Sequence, residues 1–345
     1  MMGAVKVLSA GFNVTLQDLG RPQHQHLGVP VSGALDPVAF RLANALVGNP
    51  GETVALELRL MGPTLEVMAD SARVALAGTR AQLELLDGDG VQLPSHCSVR
   101  VTRGQRLRIS SIADSGVAYL AIEGGIEVPE LYGSRSTYVR ASLGGFGGRA
   151  LQEGDELPLG LTEAEPRGEI RHDDLSYLDQ GGPMRIVFGP QDDYFTSAAI
   201  DLFLGSDYLV SREADRMGIR LDGPELEHAR GYNIVSDGIV TGAVQVPGTG
   251  LPIVLLADHQ TTGGYPKIGT VISADIPRLG RLRPGDSLRF ERISVQQAEG
   301  LRRELEGQIM RMIEKFRPAD GWLDETALYS QNLVSGVIAG SEDAG

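Results

Sequence analysis

Glycine and proline cut this sequence into short lengths, which limits the folds open to it more than any motif does. There are 45 glycines and 18 prolines among 345 residues. Between them lie brief Val-, Ile- and Leu-rich segments bounded by Gly, Asp or Pro, the pattern of strands joined by tight turns. The chain is therefore expected to be mainly β. Strand candidates fall at 53–60, 64–68, 73–77, 98–101, 106–109, 117–122, 184–188, 208–210, 253–256, 270–272 and 287–290. Helices are few. Asp36 as N-cap with Pro37 at the first helical position predicts one over 37–47, and others are expected at 192–202 and 276–281.

A weak internal repeat runs through the chain. LRLMGPTLE at 58–66 matches IRLDGPELE at 219–227 in seven of nine positions when Ile and Leu are equated, and GQRLRI at 104–109 is echoed by GDSLRF at 285–290. The shared order suggests two related β units, although turn grammar repeated by chance would give the same pattern. The units are expected at 1–165 and 183–293, divided by the charged stretch 163–182. Beyond Arg292 the character changes. Ser294 and Gln297 make a capping box, and Ala298, Leu301, Leu305, Ile309, Met312 and Phe316 recur at helical spacing until Pro318. Residues 294–345 are thus read as an amphipathic helix packed on its own chain, followed by a tail. Within that tail, 330–339 is apolar enough to dock, while 340–345 should fray.

Charge and cysteine content narrow the function classes. A net charge of −14 repels nucleic acid and anionic lipid, and no Lys/Arg cluster offsets it, so neither is expected as a partner. Apolar runs stop short of the roughly 18 residues a membrane helix needs. The N-terminus lacks a basic region followed by a hydrophobic core, so the chain is expected to stay in the cytoplasm. Cys97 is the single cysteine, which excludes an intrachain disulfide and any Cys-based zinc site within the chain.

The densest chemistry lies in ten residues, DHQTTGGYPK at 258–267, between the apolar runs 251–257 and 268–274. A polar loop held by two strands exposes side chains from a rigid base. Lys267 is a candidate for stabilising an oxyanion, and Asp258 with His259 for accepting a proton. Gln260, Thr261, Thr262 and Tyr265 are candidates for substrate contact. The plainer alternative is that the Thr and Gly residues form a turn and Lys267 faces solvent. Early in the chain, Asp18 and Arg21 within QDLGRP either hold a polar substrate from two sides or form a turn beside a surface arginine. His24 and His26 lack an evident third metal ligand, and no metal is expected. Arg216, in READRMG at 212–218, is either an anion clamp or part of a salt-bridge network. The glycine-rich GSRST and GGFGGR segments at 133–149 lack Walker A spacing, and no P-loop occurs anywhere in the chain.

Taken in order, QDLGRP, GVPVSGALDP, LANALVGNP, GSRST, DRMGIRLDGP, GAVQVP and DHQTTGGYPKIGTVISAD resemble the allophanate hydrolase subunit 2 family over about residues 5–295. It is also called the biotin-dependent carboxyltransferase family, and includes the C subunit of 5-oxoprolinase and KipA. The resemblance implies cyclophilin-like β-barrels and a subunit 1 (KipI-like) partner. In the 5-oxoprolinase case it also implies a LamB/YcsF-type subunit and ATP, bound somewhere in the complex. The expectation that follows is an enzyme subunit that helps open the cyclic amide 5-oxoproline to glutamate. On that reading Lys267 and Asp258 are catalytic, and Arg21 and Arg216 take a carboxylate or phosphate. Two alternatives stand beside it: the carboxyltransferase half of a urea carboxylase, or a KipA-like antagonist of a kinase inhibitor. No Met-Lys-Met sequence is present, so biotin is not attached to this chain.

Overall fold

A computed structural model of the protein describes residues 3–319, apart from 89, 110 and 180. The expected docking of 330–339 and fraying of 340–345 lie outside the described residues. Among the described residues the fold is mainly β with four α-helices, as the glycine and proline punctuation predicts.

Residues 4–158 build two antiparallel sheets. One has six strands in the order Glu156–Pro158, Ala4–Ser9, Thr64–Val67, Arg106–Ile109, Leu83–Leu85, Val91–Leu93. The other has five, in the order Thr15–Gln17, Ala55–Leu58, Ala118–Ile122, Ser71–Ala77, Ser98–Thr102. Side chains alternate across a strand, and here both faces of the five-stranded sheet are used. Leu56, Leu58, Val74, Leu76 and Leu120 meet Val5, Val7, Leu65 and Leu107 of the six-stranded sheet in one core. Ala55, Ala75, Ala77, Tyr119 and Ala121 face the opposite way, toward helix α1, Pro37–Leu46. The alanines among them let the helix approach closely, and Phe40 meets the Tyr119 ring edge-on at 5.6 Å. The helix starts where expected: Asp36 accepts hydrogen bonds from the Val38 and Ala39 amides, and Pro37 occupies the first turn.

The second large sheet has eight strands in the order Ser287–Leu288, Tyr208–Ala214, Gly218–Asp222, Ile253–Leu255, Ala243–Gln245, Lys267–Val271, Met184–Phe188, Phe290–Arg292. Its first and last members belong to one continuous segment. Leu288 pairs with Tyr208 at one edge, and Phe290 pairs with Met184 at the other. The sheet therefore curls until it almost closes into a barrel. Phe203 of α2 (Ser197–Gly205) stacks on Phe290 at 4.5 Å at the closing strand. This sheet and α1 share one hydrophobic core.

The helix expected at 192–202 is instead a 3-10 turn, Asp192–Tyr194, followed by α2. Thr196 restarts the helix by accepting a hydrogen bond from Ala199 N–H. Helix α3 runs over Ile276–Arg281 as predicted. Helix α4, Val295–Glu314, begins at the Ser294/Gln297 capping box and packs on its own chain through Leu305 and Ile309. It ends before Pro318 because Arg317–Pro318 turns away to pair with Ile170–Arg171. Of the two repeats, Gly104 and Gly285 adopt similar left-handed turns before a strand. The other pair diverges: Leu60 is 54% exposed in a turn, whereas Leu221 lies buried in a strand. Cys97 is a buried core residue whose thiol is pushed up to about 11 by burial.

His96 is fully buried at φ +58°. Its Nε2 lies 2.6 Å from the Tyr177 hydroxyl, and its Nδ1 lies 3.1 Å from Ser95 Oγ. Burial, followed by the fields of His172 and Arg80, lowers its pKa from 6.5 to about 3. Between those values the unfolded chain binds a proton that the folded chain refuses, so stability falls as the pH drops. The slope should approach about 1.4 kcal/mol per pH unit. Asn tolerates positive φ, so His96→Asn should flatten the acid limb of denaturant midpoint against pH between about 6 and 4. Equal slopes in both proteins would contradict this assignment.

Candidate functional site

A largely buried guanidinium, its side chain 12% exposed, joins the two halves of the molecule. Arg216 sits in the turn between Tyr208–Ala214 and Gly218–Asp222. Its Nε and Nη2 donate to Asp258 at 2.8 and 3.1 Å, Nη1 donates to Glu57, and Nη2 donates to the Gly33 carbonyl at 2.8 Å. Burial disfavours its charge, but Asp258 and Glu57 outweigh that and raise its pKa above the ordinary arginine value. Glu57 also accepts from the Tyr119 hydroxyl at 2.7 Å and the Leu35 amide at 3.1 Å. Of the two sequence readings of Arg216, the structure selects the salt-bridge network. Arg216 and Asp258 bond each other directly, so in this structure both side chains are engaged within the protein.

Asp18 is similarly committed. It accepts from Gly20 N–H, Ser134 Oγ, Ser136 Oγ and Arg135 N–H at 2.5–2.7 Å. The carboxylate thus ties the loop after Thr15–Gln17 to GSRST. Arg21 does not pair with it. Its buried guanidinium donates through Nη2 to the Ser136 carbonyl and through Nε to that of Leu131 at 3.4 Å. Gly144 packs against Nη2 so closely that a Cβ there would sit 2.8 Å from it and 2.2 Å from the Ser136 carbonyl. Burial lowers the Arg21 pKa, Asp18 and Asp258 oppose this, and Arg216 adds to it.

Along this same seam, buried polar atoms lack hydrogen-bond partners. They are Arg21 Nη1, Gln17 Oε1, Ser32 Oγ, Thr137 Oγ1, Gln245 Nε2 and His259 Nε2. Neighbouring bonds connect their residues: Gln17 Nε2 donates to the Thr137 carbonyl, Ser32 N–H to that of Ala257, and Gln260 Nε2 to Gln245 Oε1. Each unpaired buried group costs about 1–3 kcal/mol, so a concentration of them marks a surface shaped for binding. His259 Nδ1 lies 2.6 Å from the Gln260 carbonyl. That carbonyl can only accept, so the proton sits on Nδ1 and Nε2 presents a bare lone pair. Burial lowers the His259 pKa, against the opposing pull of the Gln260 carbonyl and Asp258, and so favours the neutral ring.

The 258–267 segment is not a hairpin between neighbouring strands. Ile253–Leu255 and Lys267–Val271 both pair with Ala243–Gln245, which lies between them. Thr262–Gly263 pairs with Asp237–Gly238, and Thr261 O accepts from Ile239 N–H at 3.0 Å. A Cβ at Gly263 would lie 2.6 Å from Gln245 Nε2. Lys267 starts the strand with its side chain 3% exposed and its Nζ 3.2 Å from Asp237. Gln191 bonds both residues, through the Lys267 amide at 3.1 Å and Asp237 Oδ2 at 3.2 Å. Lys267 thus belongs to a separate cluster that shares no hydrogen bond with Arg21, Arg216 or Asp258. The expected oxyanion candidate therefore lies in a different hydrogen-bonded cluster from Asp258 and the two arginines. Gln260, Thr262 and Tyr265 are exposed at the rim, and Thr261 is half-buried. His24 packs against Tyr132 at 5.0 Å. Among the described residues no group of three or more His, Cys, Asp or Glu is placed to hold a metal ion, and no helix is long and apolar enough to cross a membrane.

Residues 27–292 match the family model described as carboxyltransferase domain, subdomain A and B. The chain belongs to the carboxyltransferase-domain family. The expected biotin-dependent carboxyltransferase resemblance therefore holds. The C subunit of 5-oxoprolinase from Escherichia coli K12 is 37% identical over 297 residues, 85% of this chain and 93% of that protein. Its namesake from Haemophilus influenzae is 34% identical over 318 residues, 90% of this chain and 99% of that protein. Among solved structures, the urea amidolyase of K. lactis superposes with a TM-score of 0.80 at 30% identity, covering 90% of this chain. The chain spans 20% of that larger polypeptide.

Gln17, Ser32, Thr137 and Gln245 are site residues that the sequence reading misses. A signal exists for Gln245, a lone amide within the apolar GAVQVP run; Ser32 and Thr137 carry none. The Arg216 network yields a stability prediction. Arg216→Met leaves two buried carboxylates unpaired and should cost about 3–5 kcal/mol in chemical denaturation. Adding Glu57→Gln to that variant should recover part of the loss. A loss under about 1 kcal/mol for Arg216→Met would remove the network from its structural role.

Proposed function

We propose that this chain is a subunit of an ATP-dependent 5-oxoprolinase. In this reading it supplies a lactam-binding surface at the interface with a KipI-like subunit 1, alongside a LamB/YcsF-type subunit. One observation carries the reading: the seam gathers unpaired donors, Arg21 Nη1 and Gln245 Nε2, beside unpaired acceptors, Gln17 Oε1 and His259 Nε2. A lactam presents an N–H and a carbonyl side by side, which calls for that mixture of partners. The 5-oxoproline carboxylate would draw on the Arg21 cation. Support also comes from the two bacterial relatives named for 5-oxoprolinase, which align almost end to end with this chain.

An amide resists attack because its nitrogen donates into the carbonyl. ATP would supply phosphoryl activation of that oxygen within the assembled complex. The residues here bind, orient and exclude water. Arg21 neutralises the substrate carboxylate. His259 Nε2 accepts a hydrogen bond from the lactam N–H and so orients the ring. Asp18, Arg216, Asp258 and Lys267 hold the loops that carry these groups. The exposed Gln260, Thr262 and Tyr265 complete the surface on the partner's side.

A second reading has its own support. The likeness to urea amidolyase favours a carboxyltransferase half acting on urea, whose amide groups suit the same donors and acceptors.

The test is reconstitution with the neighbouring subunits, measuring glutamate release from 5-oxoproline and ATP as each component is omitted. His259→Asn keeps a donor for the Gln260 carbonyl and removes Nε2. It should lower kcat/KM roughly tenfold to a hundredfold, equivalent to about 1–3 kcal/mol, while thermal unfolding is unchanged. Carboxyl transfer from carboxybiotin to urea, with no glutamate release, would replace the first reading by the second. In the active complex, Lys267→Ala should raise KM more than it lowers kcat, as expected of a loop anchor. A pure kcat loss would restore Lys267 to the chemistry.

A further inference from the structure

A cavity of about 210 Å³ lies between α4, α3, Val38 of α1 and the segment 174–177. It is separate from the seam described above, and α4 lies beyond the residues matched by the carboxyltransferase-domain family. Leu305, Met312 and Pro277 supply apolar wall, together with the buried Tyr177 ring. Three cations stand around that wall: Arg281, Arg311 and Lys315. In a chain of net charge −14 such a grouping is unusual.

The cations are not equivalent. Arg281 is committed, with its side chain 10% exposed, 2.5 Å from Asp36 and 3.1 Å from the Tyr177 carbonyl. Its charge is met by Asp36, so it forms a fixed side of the cavity while Arg311 and Lys315 carry the unpaired charge. Arg311 and Lys315 are one turn apart on the exposed C-terminal part of α4, and neither is ion-paired among the described residues. The one nearby carboxylate on the wall, Asp174, accepts from Ser176 N–H at 3.1 Å, within the field of Lys315 but not paired with it. The partial negative charge at the helix C-terminus holds the two side chains near the last turn.

We propose that this cavity binds a small organic anion. Its apolar body rests against Leu305, Met312 and Tyr177, and its carboxylate or phosphate group meets Arg311 and Lys315. The volume exceeds the roughly 150 Å³ that admits a benzene ring in an apolar cavity, so a six-membered ring or branched chain with one anionic group fits. Small ligand sites of this kind combine an apolar lining with a few convergent charges.

Titration calorimetry of the full chain with benzoate and phenylphosphate tests this, with benzyl alcohol and benzylamine as neutral and cationic controls. Both anions should bind one to one, with Kd of roughly 0.1–1 mM for probes of this size. The controls should bind at least tenfold more weakly. Arg311→Glu combined with Lys315→Glu changes two exposed side chains, so the fold should persist by circular dichroism while anion affinity falls tenfold or more. Ser176→Trp, which plugs the mouth from an exposed position, should also abolish binding. The proposal is overturned if neither anion saturates by about 10 mM. It is equally overturned if benzylamine binds as well as benzoate, or if both variants bind like the parent.

Discussion

One largely buried guanidinium, that of Arg216, sets the arrangement on which the rest of the molecule depends. Arg216 comes from a turn of the eight-stranded sheet, yet its partners are Glu57 from the five-stranded sheet, Asp258 from the polar loop, and the Gly33 carbonyl from the segment before α1. Removing such a charge from water costs several kcal/mol, and only several well-aligned partners repay it. The contact therefore tolerates little sliding between the two halves. Positions along the seam, including those of Arg21 and His259, inherit that rigidity.

The polar chain continues beyond Glu57. Tyr119 donates to Glu57 and accepts from the Asp36 amide. Asp36 caps α1 with one oxygen and pairs with Arg281 through the other. One carboxylate thus fixes where α1 begins and how α3 sits against it. Buried polar networks are worth keeping only when every member is satisfied, and each group in this chain is. Six unpaired buried atoms instead belong to the seam, while Arg167, Arg171, His172 and Arg278 carry others away from it.

Much of the fold is legible in the sequence, and the reason is locality. The Asp36–Pro37 start of α1, the Ser294–Gln297 box of α4 and most short strands depend on residues within one turn of each other. The Arg216–Glu57 pair spans 159 positions, and nothing local in either segment announces it. The loop at 258–267 stands out as chemically dense, but its sequence implies that the flanking strands are neighbours. Inserting Ala243–Gln245 between them moves Lys267 away from Asp258. Polar loops thus locate the candidate site, while the division of labour within it is hidden. Asp18, Arg216 and Asp258 carry the obvious charges and spend them on structural partners. The groups left free at the seam are mostly amides, hydroxyls and an imidazole, residue types common enough to escape notice.

The segment Ser287–Arg292 forms both edges of the eight-stranded sheet. A chain emerging from the ribosome would therefore hold a two-sheet sandwich whose strands are all present by residue 158, followed by an open sheet that nothing can seal until its final piece arrives. Until then two ladders of backbone N–H and C=O groups face solvent, the state in which sheets recruit strangers. Order of synthesis thus completes one pair of sheets early and leaves the other sheet exposed to mispairing until Ser287–Arg292 arrives.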